Sequence, residues 1–433
     1  MHVLVTTDTL GGVWTYTREL VAGLLQRGVR VTLVSFGNIP SEGQTRWMEE
    51  YQGLGNSNFD YRPTAFRLEW MHDAPEDMEA SAEYVRNVIQ ETKPDLLHSN
   101  QFYYGALDCD VPRLVVAHSD VVSWWAAVHG QEPPQSPWLE WYRYAVTRGL
   151  ARASAVVAPS QWMLDQIGRH YLKLERSCAI YNGRSPLLFN PHITKDDQIV
   201  TVGRLWDLGK NARLLVQTEM PVPVRVVGSD HHPECRNSVL AGVAIRPNLC
   251  VQPPQDEKEM VQIFGRAAIY AATSQYEPFG LAPVEAALSR CAVVASDIPS
   301  FRELWSGAAL FFRNNDSGDL RSALELLVRE PVVRREYANL AYERACLRFA
   351  AARMVDEYLE LYHALAPASG AATLRRYCPD CHPSKPKSGL PETPVSHASE
   401  PKPGPPGTPV SHPSEPKPGP PGTLDCGEGT AVA

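Results

Sequence analysis

The 433-residue chain has no run of eighteen consecutive apolar residues, so no segment reads as a membrane-crossing helix. It also lacks a surplus of positive charge. With 41 Lys and Arg against 49 Asp and Glu, the formal charge is −8. That balance argues against general attraction to nucleic acid or to an anionic membrane face, while leaving room for a local basic site and for peripheral membrane contact. No basic leader precedes the opening residues His2-Val3-Leu4-Val5-Thr6-Thr7, which read as a buried strand, so no signal peptide and a cytoplasmic location are expected. The cysteines are scattered and number nine, an odd count, with Cys178, Cys250 and Cys291 in apolar contexts. Disulfides are therefore not expected. A complete G-x-G-x-x-G is missing, and the second strand ends in Ser35-Phe36 where an acidic ribose reader would stand. Both absences disfavour NAD-dependent oxidoreduction.

What is present is ordinary soluble-protein material, 44% apolar and 21% charged, in a chain long enough for two domains. From Met1 to about Asn182, apolar strands alternate with amphipathic helices. Strands are expected at His2–Thr7, Val29–Phe36, Leu96–Ser99, Leu114–His118 and Ala155–Ala158, with helices at Trp14–Arg27 and Trp138–Arg152. Turn residues from Asn182 through Pro186 to Pro191 break this rhythm and read as an inter-domain connection. A second series follows, with strands at Gln198–Val202, Val224–Val227, Leu249–Gln252, Ala268–Thr273 and Ala292–Ala295. Helices at roughly Ser317–Val328, Val332–Leu347 and Ala351–Leu365 close the folded region. Strand–helix alternation implies an α/β class with parallel sheets covered on both faces.

The most informative stretch is Tyr276-Glu277-Pro278-Phe279-Gly280-Leu281-Ala282-Pro283-Val284-Glu285-Ala286. It joins an expected strand to an expected helix, so Glu277 falls in the loop at the strand's carboxyl end and Glu285 in the helix. Ligands of open α/β sheets bind at that edge. Two carboxylates there suit sugar hydroxyls, and the helix-start N–H groups suit phosphate or hydroxyl oxygens. A surface Glu beside a helix-face Glu is the plain alternative for an isolated pair. Upstream, Arg204 and Lys210 flank a Gly-containing loop after the second series' first strand, where fixed cations would stabilise charge on a departing phosphate. Gly11 and Gly12 follow the first strand and let backbone approach a ligand, although a tight turn alone also explains them. His118 closes an apolar strand, a place where a lone His is often structural.

These motifs, in this order, resemble the E-x7-E pattern of family 4 of the retaining, nucleotide-sugar-dependent glycosyltransferases of GT-B fold, over Met1 to about Leu365. The resemblance implies two Rossmann-like, doubly wound domains facing a cleft: an acceptor-side domain at 1–185, a nucleotide-sugar domain at 186–350, and a helix at 351–366 crossing back to the first. It implies a hexosyltransferase-type reaction, as in polysaccharide biosynthesis. A sugar moves from a nucleoside diphosphate to a hydroxyl of a glycan, lipid or small metabolite, without metal or other cofactor. Arg204 and Lys210 would grip the diphosphate, and His118 and Glu277 would contact the donor sugar. Glu285 would take the ribose, and Gly11, Gly12 and the N–H groups of Phe279, Gly280 and Leu281 would complete the cradle. Asp120, Trp124, Trp125 and His129 would line the acceptor side or, for the tryptophans, fill core. A non-catalytic nucleotide-sugar-binding protein and a sugar-nucleotide epimerase are the alternatives on the same scaffold.

Three metal-like patterns are read as decoys. Asp108-Cys109-Asp110 precedes a Val-Pro turn and reads as a loop. His231-His232-Pro233-Glu234 has no obvious third ligand, and Cys378-Pro379-Asp380-Cys381 has no second cysteine pair nearby. From Pro367 the composition turns proline-rich, with sixteen of the 37 prolines and a fifteen-residue repeat, Thr393–Gly407 then Thr408–Gly422. Such a segment at 367–433 is expected to be disordered with polyproline II character, because it buries too little apolar surface to offset ordering.

Overall fold

The structure is a computed structural model that describes residues 1–52, 58–71, 73–231 and 246–366. The proline-rich segment, its repeat, Cys378 and Cys381, and His232 to Glu234 lie outside the described residues.

Two wholly parallel sheets organise the chain. The first contains β1 (His2–Asp8), β2 (Arg30–Phe36), β3 (Phe59–Pro63), β4 (Leu96–Ser99), β5 (Arg113–Val116), β6 (Ala155–Ala158) and β7 (Ser177–Ala179). Their spatial order is β3-β2-β1-β4-β5-β6-β7. The second contains β8 (Asp196–Val202), β9 (Val224–Val227), β10 (Leu249–Gln252), β11 (Ala267–Ala272), β12 (Ala292–Ser296) and β13 (Leu310–Phe312), ordered β10-β9-β8-β11-β12-β13. Continuous burial along β1, β11 and β12 reflects their apolar or small residues and the helices on both faces. The winding reverses between β1 and β4 in one sheet and between β8 and β11 in the other. Such switch points open a crevice beyond the strands' carboxyl ends.

Several expected elements start or stop elsewhere. The fifth strand ends at Val116, so His118 sits two residues beyond it rather than at its end. Short strands β3, β7 and β13 and the helix Ala74–Thr92 join the elements read from sequence.

The helix Ala351–Leu365 packs Met354, Val355, Tyr358, Leu361 and Tyr362 into the core under the first sheet. It lies so close to the helix Gly12–Gln26 that a Cβ on Gly23 would meet a Val355 methyl at 2.5 Å. Tyr362 and the buried His98 ring share a 2.6 Å hydrogen bond. At the start of this helix, the Arg184 N–H donates to Phe349 O at 2.9 Å, and the Ala351 N–H donates to Arg184 O at 3.0 Å. The connection between the sheets is thus pinned where the chain turns back. Among the described residues, no helix is long and apolar enough to cross a membrane.

Candidate active site

A cavity of about 480 Å³ lies at the two switch points. All ten residues singled out for the site line it: Gly11, Gly12, His118, Arg204, Lys210, Glu277, Phe279, Gly280, Leu281 and Glu285. Asp120 and Trp124 line it as well, whereas Trp125 and His129 do not. Those two rings instead pack on each other with centroids 4.2 Å apart.

The second sheet supplies the cations. The loop after β8 turns back on itself, with the Asp207 N–H donating to Arg204 O at 3.1 Å and the Lys210 N–H to Asp207 O at 2.9 Å. Lys210 Nζ reaches Glu277 Oε2 at 2.5 Å, and Ser274 Oγ donates to the same oxygen at 3.2 Å. The Arg204 guanidinium donates to Asp207 Oδ2 at 2.9 Å and lies 5.3 Å from the Trp206 ring centre. It faces the first half, since a Cβ on Gly11 would lie 3.8 Å from Arg204 Nη1. Gly280, at φ 86°, ends the loop and begins the helix Leu281–Leu288, a backbone geometry that glycine adopts without a Cβ clash. Gly280, Leu281 and Ala282 at that helix start line the cavity, and the first N–H groups of a helix have no partner within it. Phe279 lines the cavity from a ring buried against Phe349, centroids 5.3 Å apart.

Glu285 is held in a way the sequence did not disclose. Its Oε1 pairs with Arg184 Nε at 2.8 Å. The same guanidinium pairs with Glu257 at 2.6 Å and with Glu19 on the helix Gly12–Gln26, and Arg18 also reaches Glu257. Burial raises the Glu285 and Glu19 carboxyls above their ordinary range, and Arg184 pulls each back.

The first sheet supplies a wall of different character. His118 shares a 2.8 Å hydrogen bond with Asn100 Oδ1 and stacks edge-on to Tyr16, centroids 4.6 Å apart. Its apolar surroundings lower its pKa to about 3, so it stays neutral at physiological pH. Asp8 closes β1, accepts the Leu10 N–H, and is pushed up to about 7 by burial. Glu69 accepts the Phe102 and Tyr103 N–H groups at 2.8 and 2.7 Å and is also pushed up to about 7 by burial. Asp120 caps the helix Val121–His129 by accepting the Val122 and Ser123 N–H groups. Asp8, Glu69, Asp207 and Arg184 were not anticipated as parts of this region. The position of Asp8 at a strand end was the one local signal for any of them. Among the described lining residues, Arg204 and Lys210 are the cationic side chains, and both belong to the second half.

Asp108-Cys109-Asp110 forms a loop whose Cys109 carbonyl accepts from Arg113 at 3.0 Å, and it does not line the cavity. His231 Nδ1 lies 2.5 Å from Asp230 on the surface. No group of three metal-binding side chains occurs among the described residues.

Comparison with known proteins agrees with this architecture. Residues 10–186 match the sequence family Glycosyltransferase Family 4, and residues 190–344 match Glycosyl transferases group 1. The alpha-maltose-1-phosphate synthase of Mycolicibacterium smegmatis is 26% identical over 308 residues, 62% of this chain and 78% of that protein. Among solved structures, a sucrose-phosphate synthase from Thermosynechococcus elongatus superposes with a TM-score of 0.69 at 17% identity, covering 84% of this chain and 99% of that one. Anabaena HepE in complex with UDP-glucose gives a TM-score of 0.64 at 17% identity, covering 84% and 100%.

Proposed function

The chain belongs to glycosyltransferase family 4 and is a glycosyltransferase of GT-B fold; from that premise we propose that it moves a sugar from a nucleoside diphosphate to an acceptor hydroxyl with retained anomeric configuration and without a metal. The observation that carries this reading is the convergence of Arg204, Lys210 and Glu277 on one cavity, with Lys210 and Glu277 in direct contact at 2.5 Å. Breaking the bond between the anomeric carbon and the β-phosphate oxygen leaves negative charge on the diphosphate. Arg204, Lys210 and the N–H groups opening the helix Leu281–Leu288 receive that charge as donors fixed in place before the bond breaks. The acceptor oxygen bonds to the anomeric carbon on the face the diphosphate leaves, and the acceptor's proton passes to the departing phosphate. Glu277 orients the sugar hydroxyls and serves as a positioning residue, not a general base. Glu285, steadied by Arg184, accepts from the ribose, and neutral His118 hydrogen-bonds the transferred sugar.

The acceptor faces the first-half wall. Its carboxyls Asp8, Glu69 and Asp120 and rings Trp70 and Trp124 suit an uncharged sugar or polyol better than a phosphorylated one, because the described lining residues of that wall include no cationic side chain to pair with a phosphate. HepE bound to UDP-glucose is the precedent for a uridine donor in this fold. The test is a thermal-shift panel of UDP-, GDP- and ADP-sugars, since a ligand bound to the native state alone raises Tm. Transfer assays with neutral and phosphorylated acceptors then follow, with Glu277→Ala as control. A stabilising nucleotide sugar that Glu277→Ala turns over at the wild-type rate would remove the assignment of Glu277.

A further inference from the structure

Resting on the reading of Arg204 as a diphosphate ligand, we propose that Asp207 is the positioning residue that aims Arg204, and that Trp124 from the opposite half fixes Asp207 in turn. The donor site is then complete only when both halves contribute.

Asp207 lies three residues after Arg204, and its side chain is only 3% exposed. Its two oxygens have separate partners. Oδ2 accepts from Arg204 Nη2 at 2.9 Å. Oδ1 accepts the Gly209 N–H at 2.8 Å and the Trp124 indole N–H at 3.0 Å. Trp124 is itself buried, on the helix that begins just after His118. The contact is tight enough to dictate a glycine. A Cβ on Gly209 would come within 2.7 Å of Trp124 Nε1 and 3.0 Å of Asp207 Oδ1. Gly209 O also accepts the Gln275 and Tyr276 N–H groups at 2.8 and 3.2 Å, which ties this loop to the segment carrying Glu277. The Tyr276 hydroxyl then reaches back to Ser123 Oγ of the first half at 2.9 Å. Arg204, Lys210 and Glu277 therefore hang on one hydrogen-bonded unit that the helix Val121–His129 touches at two points.

Two effects of the Asp207 charge oppose each other. It repels a nearby phosphate, yet it holds the guanidinium fork in one orientation, which bidentate phosphate recognition requires. Arg204 is 28% exposed, so water screens the repulsion, whereas an unheld arginine must be ordered anew by each ligand. Orientation is expected to win.

Asp207→Asn separates this role from a structural one. The amide oxygen still accepts the Gly209 and Trp124 N–H groups, but the amide nitrogen cannot accept from Arg204. The experiment titrates UDP, GDP and ADP, each beside its monophosphate, into wild type, Asp207→Asn and Trp124→Phe. Wild type is expected to prefer one diphosphate over its monophosphate. Asp207→Asn should lose about tenfold of that preference, the worth of one charge-assisted hydrogen bond, with an unchanged unfolding midpoint. Trp124→Phe should shift the same ratio in the same direction, and it carries the test if the asparagine variant does not fold. An Asp207→Asn ratio equal to or above wild type overturns the proposal while the diphosphate reading stands. A wild type indifferent to the second phosphate overturns the diphosphate reading itself, and this inference with it.

Discussion

Replacing Arg184 with Met tests the buried charge cluster that joins the two halves. Arg184 is 2% exposed, and its partners Glu19 and Glu285 are 9% and 16% exposed. Glu257 is 38% exposed and keeps Arg18, so it adds little once solvent screening is counted. Removing the guanidinium leaves Glu285 and Glu19 as buried carboxylates without their nearest counter-ion, with Arg18 remaining 3.9 Å from Glu19. Breaking a buried pair from one side costs about 3–5 kcal/mol, and the methionine recovers part of the packing. The pH dependence has a definite sign. Burial already raises both carboxyls in the folded protein while Arg184 lowers them. Without Arg184 their folded values rise further, so the variant must take up protons on folding. Its penalty is therefore smallest near the unfolded carboxyl range, about pH 4.3, and grows as pH rises. Urea unfolding of both proteins at pH 5.5 and pH 8, followed by circular dichroism, reads this directly. The expected result is a midpoint drop several times larger at pH 8, with Arg184→Lys in between because it restores charge but not the three-way fork. A loss below about 1 kcal/mol at pH 8 would refute the cluster's burial, as would a larger loss at pH 5.5.

Two further perturbations have equally clear readouts. Lys210→Met should lower kcat by about 10²–10³, the usual loss of one fixed donor to developing charge; a change confined to KM would mean that Lys210 binds donor and transition state alike. Glu69→Gln should gain stability relative to wild type as pH climbs from about 4.5 towards 7. The wild-type carboxyl, pushed up to about 7 by burial, contributes stability that is full below its unfolded value and is lost across that window. Parallel stability–pH curves for the two proteins would contradict the buried, raised carboxyl.

The legible parts of the fold share one property: a strong local pattern. β11, the loop with Glu277 and the helix Leu281–Leu288 were readable because an unbroken apolar run meets a Pro-Phe-Gly turn and then helical spacing. Three short strands were not. β7 and β13 have three residues each, and β3 ends in Pro63 with most of its side chains half-buried, so none offers enough residues for a period to emerge. The helix Ala74–Thr92 carries an apolar stripe in Met78, Ala82, Val85 and Ile89, diluted by the acidic and polar residues between them. Ala117 prolongs the apolar run towards His118, which makes that residue read as a strand end, yet pairing stops at Val116.

By itself, then, the sequence determined the class of fold and the ends of the strands at which chemistry occurs, because hydrophobic period and turn residues act over a few neighbours. Tertiary structure alone decided what surrounds those positions. Trp124 and Asp207 meet across 83 residues of chain, and Arg184 and Glu19 across 165. Neither partner alters the local pattern around the other, so only the folded chain brings the first half's indole to Asp207 beside Arg204 and its carboxylate to Arg184, which holds Glu285.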